Sequence, residues 1–446
     1  MVSVPTTQRT ATPLSLRPPA RGGVTRDAAH VDRLPQVAYD ERHTVTIEAK
    51  EKTAPGIDAP VRTSFLPFHQ PLIDEKDEQA VLDTLRSGWL TTGPRTRSFE
   101  QELATYTGAA HCVALNSCTA ALHLALEAVG VGAGDEVITS PITFASTANV
   151  IVHRGARPVF VDVEQDTLNI DAAAVDAAVT SRTKAVIPVD FAGQPCDLDA
   201  IMAVGARHGL PVIEDAAHAI GAAYKGRRVG GIADMTCFSF YATKNITSGE
   251  GGALTTDRAD WADRIAVMAL HGISRDAWKR YGTEGYRHWD IIAPGYKYNM
   301  FDLQAALVRS QLGKLETFHR RRVALKARLD AGLGDIQEIE FPAERSWATH
   351  AYHLYPIMVR PEMLTADRDA VMNAIQAENV GIGIHFRAVH LHPYYAETFG
   401  FRRGMFPNAE YYSDRTISLP LYPRMTDTDA DDVVAAVRKV LTRYRR

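Results

Sequence analysis

From residue 65 onward the apolar positions fall into two alternating patterns: short continuous runs, and longer stretches with an apolar residue every three or four positions. Runs of the first kind read as buried strands, and stretches of the second kind as helices packed on one face. DEKDEQAVLDTLRSG (74–88) opens with acidic residues and closes on Gly88, end chemistry that suits a helix dipole. HCVALNS (111–117) reads as a strand and TAALHLALEAVGV (119–131) as the helix after it. DEVITSP, ARPVFVDV, TKAVIPVD, LPVIEDA and MTCFSFY continue the strand series, several of them separated by helical stretches such as FASTANVIVHRG and LDAIMAVGARHG. Short buried strands alternating with helices predict an α/β fold whose mostly parallel sheet is covered on both faces.

The pattern changes after a long helical stretch at 303–329. HAYHLYPIMV, a helix near 367–380 and a last helix near 429–444 follow it. The expectation is a large domain over residues 64–312 and a smaller C-terminal α+β domain over 313–446, without internal repeats. Residues 1–63 show no such period and are dominated early on by Pro, Thr, Arg and Gly, so they read as a disordered N-terminal extension. Four arginines and no acidic residue before Asp27 also resemble transit-peptide composition, but no amphipathic period accompanies them.

Bulk properties remove several classes of function. The 446 residues are 46% hydrophobic and 23% charged with a formal net charge of −4, which gives no basic excess for nucleic acid or an anionic membrane surface. No run approaches the ~18 apolar residues of a membrane helix, and the N-terminus lacks the apolar core of a secretory signal. Cys112, Cys118, Cys196 and Cys237 are scattered without CxxC pairs, so neither disulfides nor a thiolate metal site is expected. A cytoplasmic protein acting on small molecules is the reading that remains.

Ligands of parallel α/β sheets collect where strands end and helices begin. VALNSCTAALHLAL places Asn116, Ser117, Cys118 and Thr119 at such a junction, where free N–H groups and a helix dipole attract an anion. LPVIEDAAHAIGA ends a strand on Glu214 and Asp215 and sets His218 three residues later, on the same side of a helical turn. A carboxylate there can pair with a protonated ring nitrogen. SPITFASTAN puts Phe144 where an aromatic face can cover a flat heterocycle. FSFYATKNITSGEGG carries Ser239 and Lys244 between an apolar run and a glycine-rich turn, and a desolvated lysine there can form a Schiff base with an aldehyde. Taken singly these residues are a helix cap, a capping aspartate, a core phenylalanine and a surface lysine. Taken in this order they are an anion anchor, a ring-nitrogen carboxylate, an aromatic lid and a Schiff-base amine, the set that pyridoxal 5′-phosphate requires. GVGAGDEV has glycines too, but it follows a helix and precedes a strand, the reverse of a dinucleotide loop.

With these motifs quoted, and with SGWLTTGPRTRSFEQELATYTGA, GARPVFVDV, GYKYNMFDLQAAL and LPLYP in the same order, the chain from 65 to 446 resembles the DegT/DnrJ/StrS family of pyridoxal-phosphate-dependent sugar aminotransferases. The resemblance implies the type I fold of such enzymes, with a mostly parallel seven-stranded sheet and a smaller C-terminal α+β domain. It implies that Lys244 bonds the cofactor aldehyde, that Asp215 pairs with the ring nitrogen, and that these two residues are catalytic. By the same resemblance Phe144 stacks on the ring and His218 lies near its face or hydroxyl. Thr119, the Cys118 backbone and Ser239 hold the phosphate, and Asn299 reaches the phosphate of a neighbouring subunit, which implies a homodimer with shared active sites. Many members have Asn-Tyr-Arg at the positions of Lys297, Tyr298 and Asn299. Cys118 stands where glycine is common, and Phe301 replaces a small hydroxyl residue.

The implied reaction moves an amino group from L-glutamate to a nucleotide-linked keto-sugar. GIGIHFRAVHLHPYY resembles 4-keto-sugar aminotransferases, which makes His385 and Arg387 candidate sugar-nucleotide contacts. His390 and His392 fit no usual metal-ligand spacing. Relatives with histidine in place of the lysine remove a sugar hydroxyl, and Lys244 argues against that chemistry. The alternatives are a keto-cyclitol or aminoshikimate-type acceptor, and a non-catalytic regulatory homologue.

Overall fold

Most of the apolar runs do become strands, and they end along one edge of the protein. The structure, a computed structural model, describes residues 59–274 and 290–446; the expected extension lies, up to residue 58, outside the described residues. Four strands, β1 (His111–Leu115), β2 (Glu136–Thr139), β3 (Arg157–Phe160) and β4 (Thr183–Ile187), precede β5 (Ile213–Asp215). A small hairpin of β6 (Ala223–Tyr224) and β7 (Arg227–Arg228) leads into β8 (Met235–Ser239) and β9 (Gly252–Thr256).

The expected single sheet of seven mostly parallel strands is present as two sheets. One has the order β1-β9-β8-β5 and is mixed, because β9 runs antiparallel to both its neighbours; the other, β3-β2-β4, is parallel. Between β4 and β5 the ladder thins to two parallel bridges, Val186 to Val212 and Val189 to Asp215. Pro188 lies between them and has no N–H to donate, although its carbonyl accepts from Asp215 N at 2.8 Å. The sequence marks SGEGG as a turn and assigns no strand after it, yet Gly252–Thr256 supplies the strand that ties β1 to β8.

Each face of these sheets is covered. Leu115, Leu122, Ile151, Leu254 and Ile265 belong to the apolar cluster on one side, and Ile138, Val186, Leu198, Ile201 and Val212 to another. The helix Cys118–Ala128 starts directly after β1, and Ala145–His153 after β2. The helical stretch at 303–329 is two helices, Asp302–Leu312 and Leu315–Leu333, parted at Gly313 and Lys314. Asp302 is the first residue of the first of these helices. Its buried carboxyl accepts from Gly93 N at 2.8 Å, Arg95 N and Thr96 N at 3.0 Å, and Thr96 Oγ1 at 2.7 Å. It therefore caps the N-terminus of a different helix, Pro94–Thr107, which has no side-chain cap of its own.

The C-terminal residues build a second core. β10 (Ile339–Glu340), β12 (Tyr355–Val359) and β13 (Thr416–Leu419) form an antiparallel sheet, and β11 (Ala348–Thr349) instead joins β6 and β7. Leu325, Leu329, Ile357, Val371, Val437 and Leu441 pack together there. Leu66 belongs to the same core and pairs with Asn379 and Gly381, and Arg62 reaches Asp429 and Asp432 at 2.9 and 2.5 Å.

Replacing Asp302 by alanine strands two buried backbone donors, Gly93 N and Thr96 N, and the partly buried Arg95 N. The expected loss is about 3 kcal/mol of stability, read from denaturant unfolding of the variant.

Candidate active site

β1, β5 and β8 deliver their C-terminal ends to one cavity of about 590 Å³, and the residues after β2 and β4, with His353 and Ile384 to Phe386 from the C-terminal part, complete its wall. Lys244 stands in the loop between β8 and β9. That loop is closed at its base by Phe240 N to Gly251 O at 2.9 Å and Ser248 N to Phe240 O at 3.0 Å, and Lys244 N donates to Tyr241 O at 2.9 Å. The next residue, buried Asn245, donates to Ala351 O at 2.8 Å and meets His353 Nδ1 at 3.1 Å. The lysine is thus held from both sides while its side chain faces the cavity.

Asp215, at the end of β5, is 4% exposed. One carboxyl oxygen accepts from Thr147 Oγ1 at 2.7 Å and the other from Ala217 N at 3.2 Å, with Cys118 Sγ at 4.0 Å. Burial raises its pKa; the bonds from Thr147 and Ala217 and the nearby Lys244 oppose that. For Lys244, burial lowers the pKa to about 8, while Cys118 and Asp215 work the other way. An amine with that value is partly neutral, and so nucleophilic, at physiological pH. Burial, Lys244 and His385 together hold His218 well below the ordinary histidine range. Its ring stacks on Phe386 at 5.8 Å and lies tilted against His353 at 4.4 Å, and its Nδ1 is buried with no protein partner.

The anion end is shaped by close packing. Gly252 of β9 lies opposite both Leu115 and Ser239. A Cβ on Gly252 would sit 2.3 Å from Ser117 C and 2.4 Å from Cys118 N, so only glycine lets the strand lie against the first turn of the helix Cys118–Ala128. Ser117 Oγ caps that helix by accepting from Ala120 N at 3.1 Å. The cap leaves the Cys118 and Thr119 N–H groups without intrahelical partners at the cavity, and Ser239 lines the other side.

Cys118, Thr119, Phe144 and Asp215 thus line the same cavity as His218, Ser239, Lys244 and His385. Asn299 and Arg387 do not line it. Asn299 bridges to Leu115, donates to Thr92 Oγ1 at 2.6 Å and accepts from Lys297 Nζ at 2.8 Å. Arg387 is exposed and donates to Leu391 O at 3.0 Å. Phe144 is 64% exposed and faces Phe386 at 6.2 Å between centroids, a lid with one side open. His390 is wholly buried and bonded to Glu410 at 3.0 Å, and no metal-ligating cluster occurs among the described residues.

Residues 71–438 match the DegT/DnrJ/EryC1/StrS aminotransferase family. The chain belongs to this family. As a member it is an enzyme, a pyridoxal-phosphate-dependent aminotransferase. It is 52% identical over 381 residues to the spore coat polysaccharide biosynthesis protein SpsC of Bacillus subtilis, covering 85% of this chain and 98% of that one. Among solved structures, Spr1654 of Streptococcus pneumoniae in its pyridoxal-phosphate form has a TM-score of 0.79 at 33% identity, covering 85% of this chain and 99% of that one. PseC of Helicobacter pylori, an aminotransferase involved in the biosynthesis of pseudoaminic acid, has a TM-score of 0.79 at 27% identity, covering 86% and 100%.

Three residues that shape this aminotransferase's cavity, one on its wall and two behind it, carry no mark of that role in the sequence. Thr147 fixes Asp215, Gly252 admits the anion end, and His353 supports both His218 and Asn245. No local signal marks Thr147 or His353, whereas Gly252 was visible only as part of a glycine-rich turn.

Gly252→Ala should weaken cofactor affinity by at least about tenfold, since its methyl pushes the Ser117–Cys118 backbone out of line; cofactor titration followed by absorbance measures this. The rate at which apo protein captures pyridoxal phosphate should rise with pH and level off above about 8, as the Lys244 amine loses its proton.

Proposed function

We propose that this aminotransferase transfers the amino group of L-glutamate to a nucleotide-linked 4-keto-sugar, acting in the cytoplasm as a homodimer with shared active sites. The observation that carries the reading is the convergence of Lys244 and Asp215 on one cavity whose far end is a helix N-terminus opened by Gly252. These residues fit the cofactor: the cradle takes a phosphate, Asp215 takes a ring N–H, and the unpartnered His218 Nδ1 is left for the ring or its hydroxyl. Bound there, pyridoxal phosphate supplies an electrophilic carbon and a protonated ring that stores electrons.

The protein's own share follows from its groups. Thr119, the Cys118 backbone and Ser239 bind the phosphate. Asp215 keeps the ring-nitrogen proton in place, and Thr147 orients that carboxyl. Phe144 covers one face of the ring. Lys244 Nζ is the base that takes the proton from the α-carbon of the amino donor, a role suited to a pKa near 8. His385, which also lines the cavity, is assigned to the sugar, and exposed Arg387 to the nucleotide's phosphates.

Sugar chemistry is favoured by the likeness to SpsC and PseC, proteins named for polysaccharide and pseudoaminic acid biosynthesis. Exposed apolar residues near the cavity favour a dimer: Tyr241 on its rim is 46% exposed, and Leu90 and Phe301, beside Thr92 and Asn299, are 45% and 39% exposed. A partner covering Leu90 and Phe301 gives Asn299 a place at the second site. No described helix is long and apolar enough to cross a membrane.

L-Glutamate should convert the long-wavelength absorption of the bound cofactor into that of the pyridoxamine form in wild type and not in Lys244→Ala. Amination of a nucleotide-linked 4-keto-sugar should then exceed that of a keto-inositol by at least about a hundredfold in kcat/KM. Turnover in Lys244→Ala, or preference for the keto-inositol, would overturn the assignment.

A further inference from the structure

Behind Asp215, on the face of the sheet turned away from the cavity, lies a second pair of carboxyls that the reaction does not use. Alternation along the strands puts it there. Val189 and Asp215 pair across the bridge between the two sheets and both line the cavity, so Asp190 and Glu214, each one residue along, face the other way. Both are fully buried, on the face that carries Val186 and Val212. Asp190 accepts from Cys196 N at 3.0 Å through one oxygen, and Glu214 accepts from Thr236 Oγ1 at 2.7 Å through one oxygen. The other two oxygens, Asp190 Oδ2 and Glu214 Oε1, are buried and have no donor from any other group. Two orphan acceptors in an apolar setting are costly, and a single proton held between them satisfies both.

We propose that Asp190 and Glu214 share one proton and that the remaining negative charge of the pair strengthens Asp215's hold on the proton of the cofactor's ring nitrogen. They are positioning residues, acting only through Asp215, and the proposal rests on the assignment of Asp215 to that nitrogen. Backbone geometry ties the three together: Asp190 N donates to Asp215 O at 3.1 Å, and Asp215 N donates to Pro188 O at 2.8 Å. Burial, with Glu214 beside it, raises Asp190 well above the carboxylate range, and burial raises Glu214 to about 7, with the Asp215 charge adding to that rise. The coupling is reciprocal, so a charge on the pair raises the proton affinity of Asp215. The other titratable group facing the pair is Cys196, whose thiol burial keeps neutral; Cys237, opposite Asp215 in the register, lies on the cavity face.

The test uses the isosteric double variant Asp190→Asn/Glu214→Gln, which keeps a hydrogen bond across the pair and discards the proton. Infrared spectra of apo protein at pH 7 should show a protonated-carboxyl carbonyl stretch in wild type that the double variant lacks. Bands from ionised carboxylates alone would overturn the proposal, and the wild-type spectrum decides this even if the variant does not fold. The native pair holds a proton that the unfolded chain releases, so wild-type stability should fall more steeply than the variant's between about pH 4 and pH 7. In the second arm, the variant should bind pyridoxal phosphate more weakly by up to about tenfold, one unit in the proton affinity of Asp215, and should bind its 1-deaza analogue unchanged. Equal losses for the two ligands would mean a merely structural role and sink the proposal. The infrared arm needs no cofactor, so it fails or holds apart from the functional reading.

Discussion

Three backbone segments meet at Gly252, and the cavity exists because they can. β9 must lie between β1 and β8 to join them, and the same strand must begin against the first turn of a helix. Any side chain at that point would force a choice between the sheet and the helix terminus. With only a hydrogen there, the unbonded N–H groups of the helix, the Ser239 hydroxyl and the lysine loop come into one neighbourhood. Asp215 stands two strands from β9, across β8, and meets Lys244 in the same cavity.

Around this junction the protein keeps polar groups buried and mostly partnered. Asp215 has Thr147 and a backbone amide, Asn245 has a carbonyl and a histidine, and Asp302 gathers several donors. Arg322, only 1% exposed, is the incomplete case: its Nη1 binds the carbonyls of Tyr352 and Leu421 at 3.0 and 2.6 Å, its Nε and Nη2 have no protein partner, and burial lowers it to about 9. Such groups are costly to bury and are satisfied in few arrangements of the chain, so they select one geometry for the elements that carry them. Lys244 is the contrast. It is desolvated without a tight partner, and that is what leaves its amine reactive.

Much of this was legible in the sequence wherever a residue's meaning is local. Strand ends, helix starts and the residues immediately after them could be read from apolar runs and caps, and Lys244, Asp215, Thr119 and Ser239 lie at those junctions. What stayed hidden was set by tertiary contact. Glycine lowers the expected strand content of GEGGALTT, and only pairing on both sides makes it β9. Gly313 parts a stretch whose period runs on through it, and Lys314 at the break pairs with Asp74 and Asp77 at the start of the helix Glu75–Ser87. Thr147 and His353 have no local signature at all, since their partners lie 68 and 108 positions away in the chain. Asn299 and Arg387 came from resemblance, and within a single subunit both stand clear of the cavity.

The anchoring of Asn245 has a consequence for recombination. Its partners, Ala351 and His353, sit at the entry to the C-terminal sheet, yet they brace the loop that carries the lysine. A chimera that exchanges the C-terminal part for that of a relative, in order to borrow its acceptor preference, therefore has a natural seam only beyond residue 353. A crossover placed upstream, at the helix Leu315–Leu333, would import foreign supports for the host's own lysine loop and trade a new specificity for a misaligned amine.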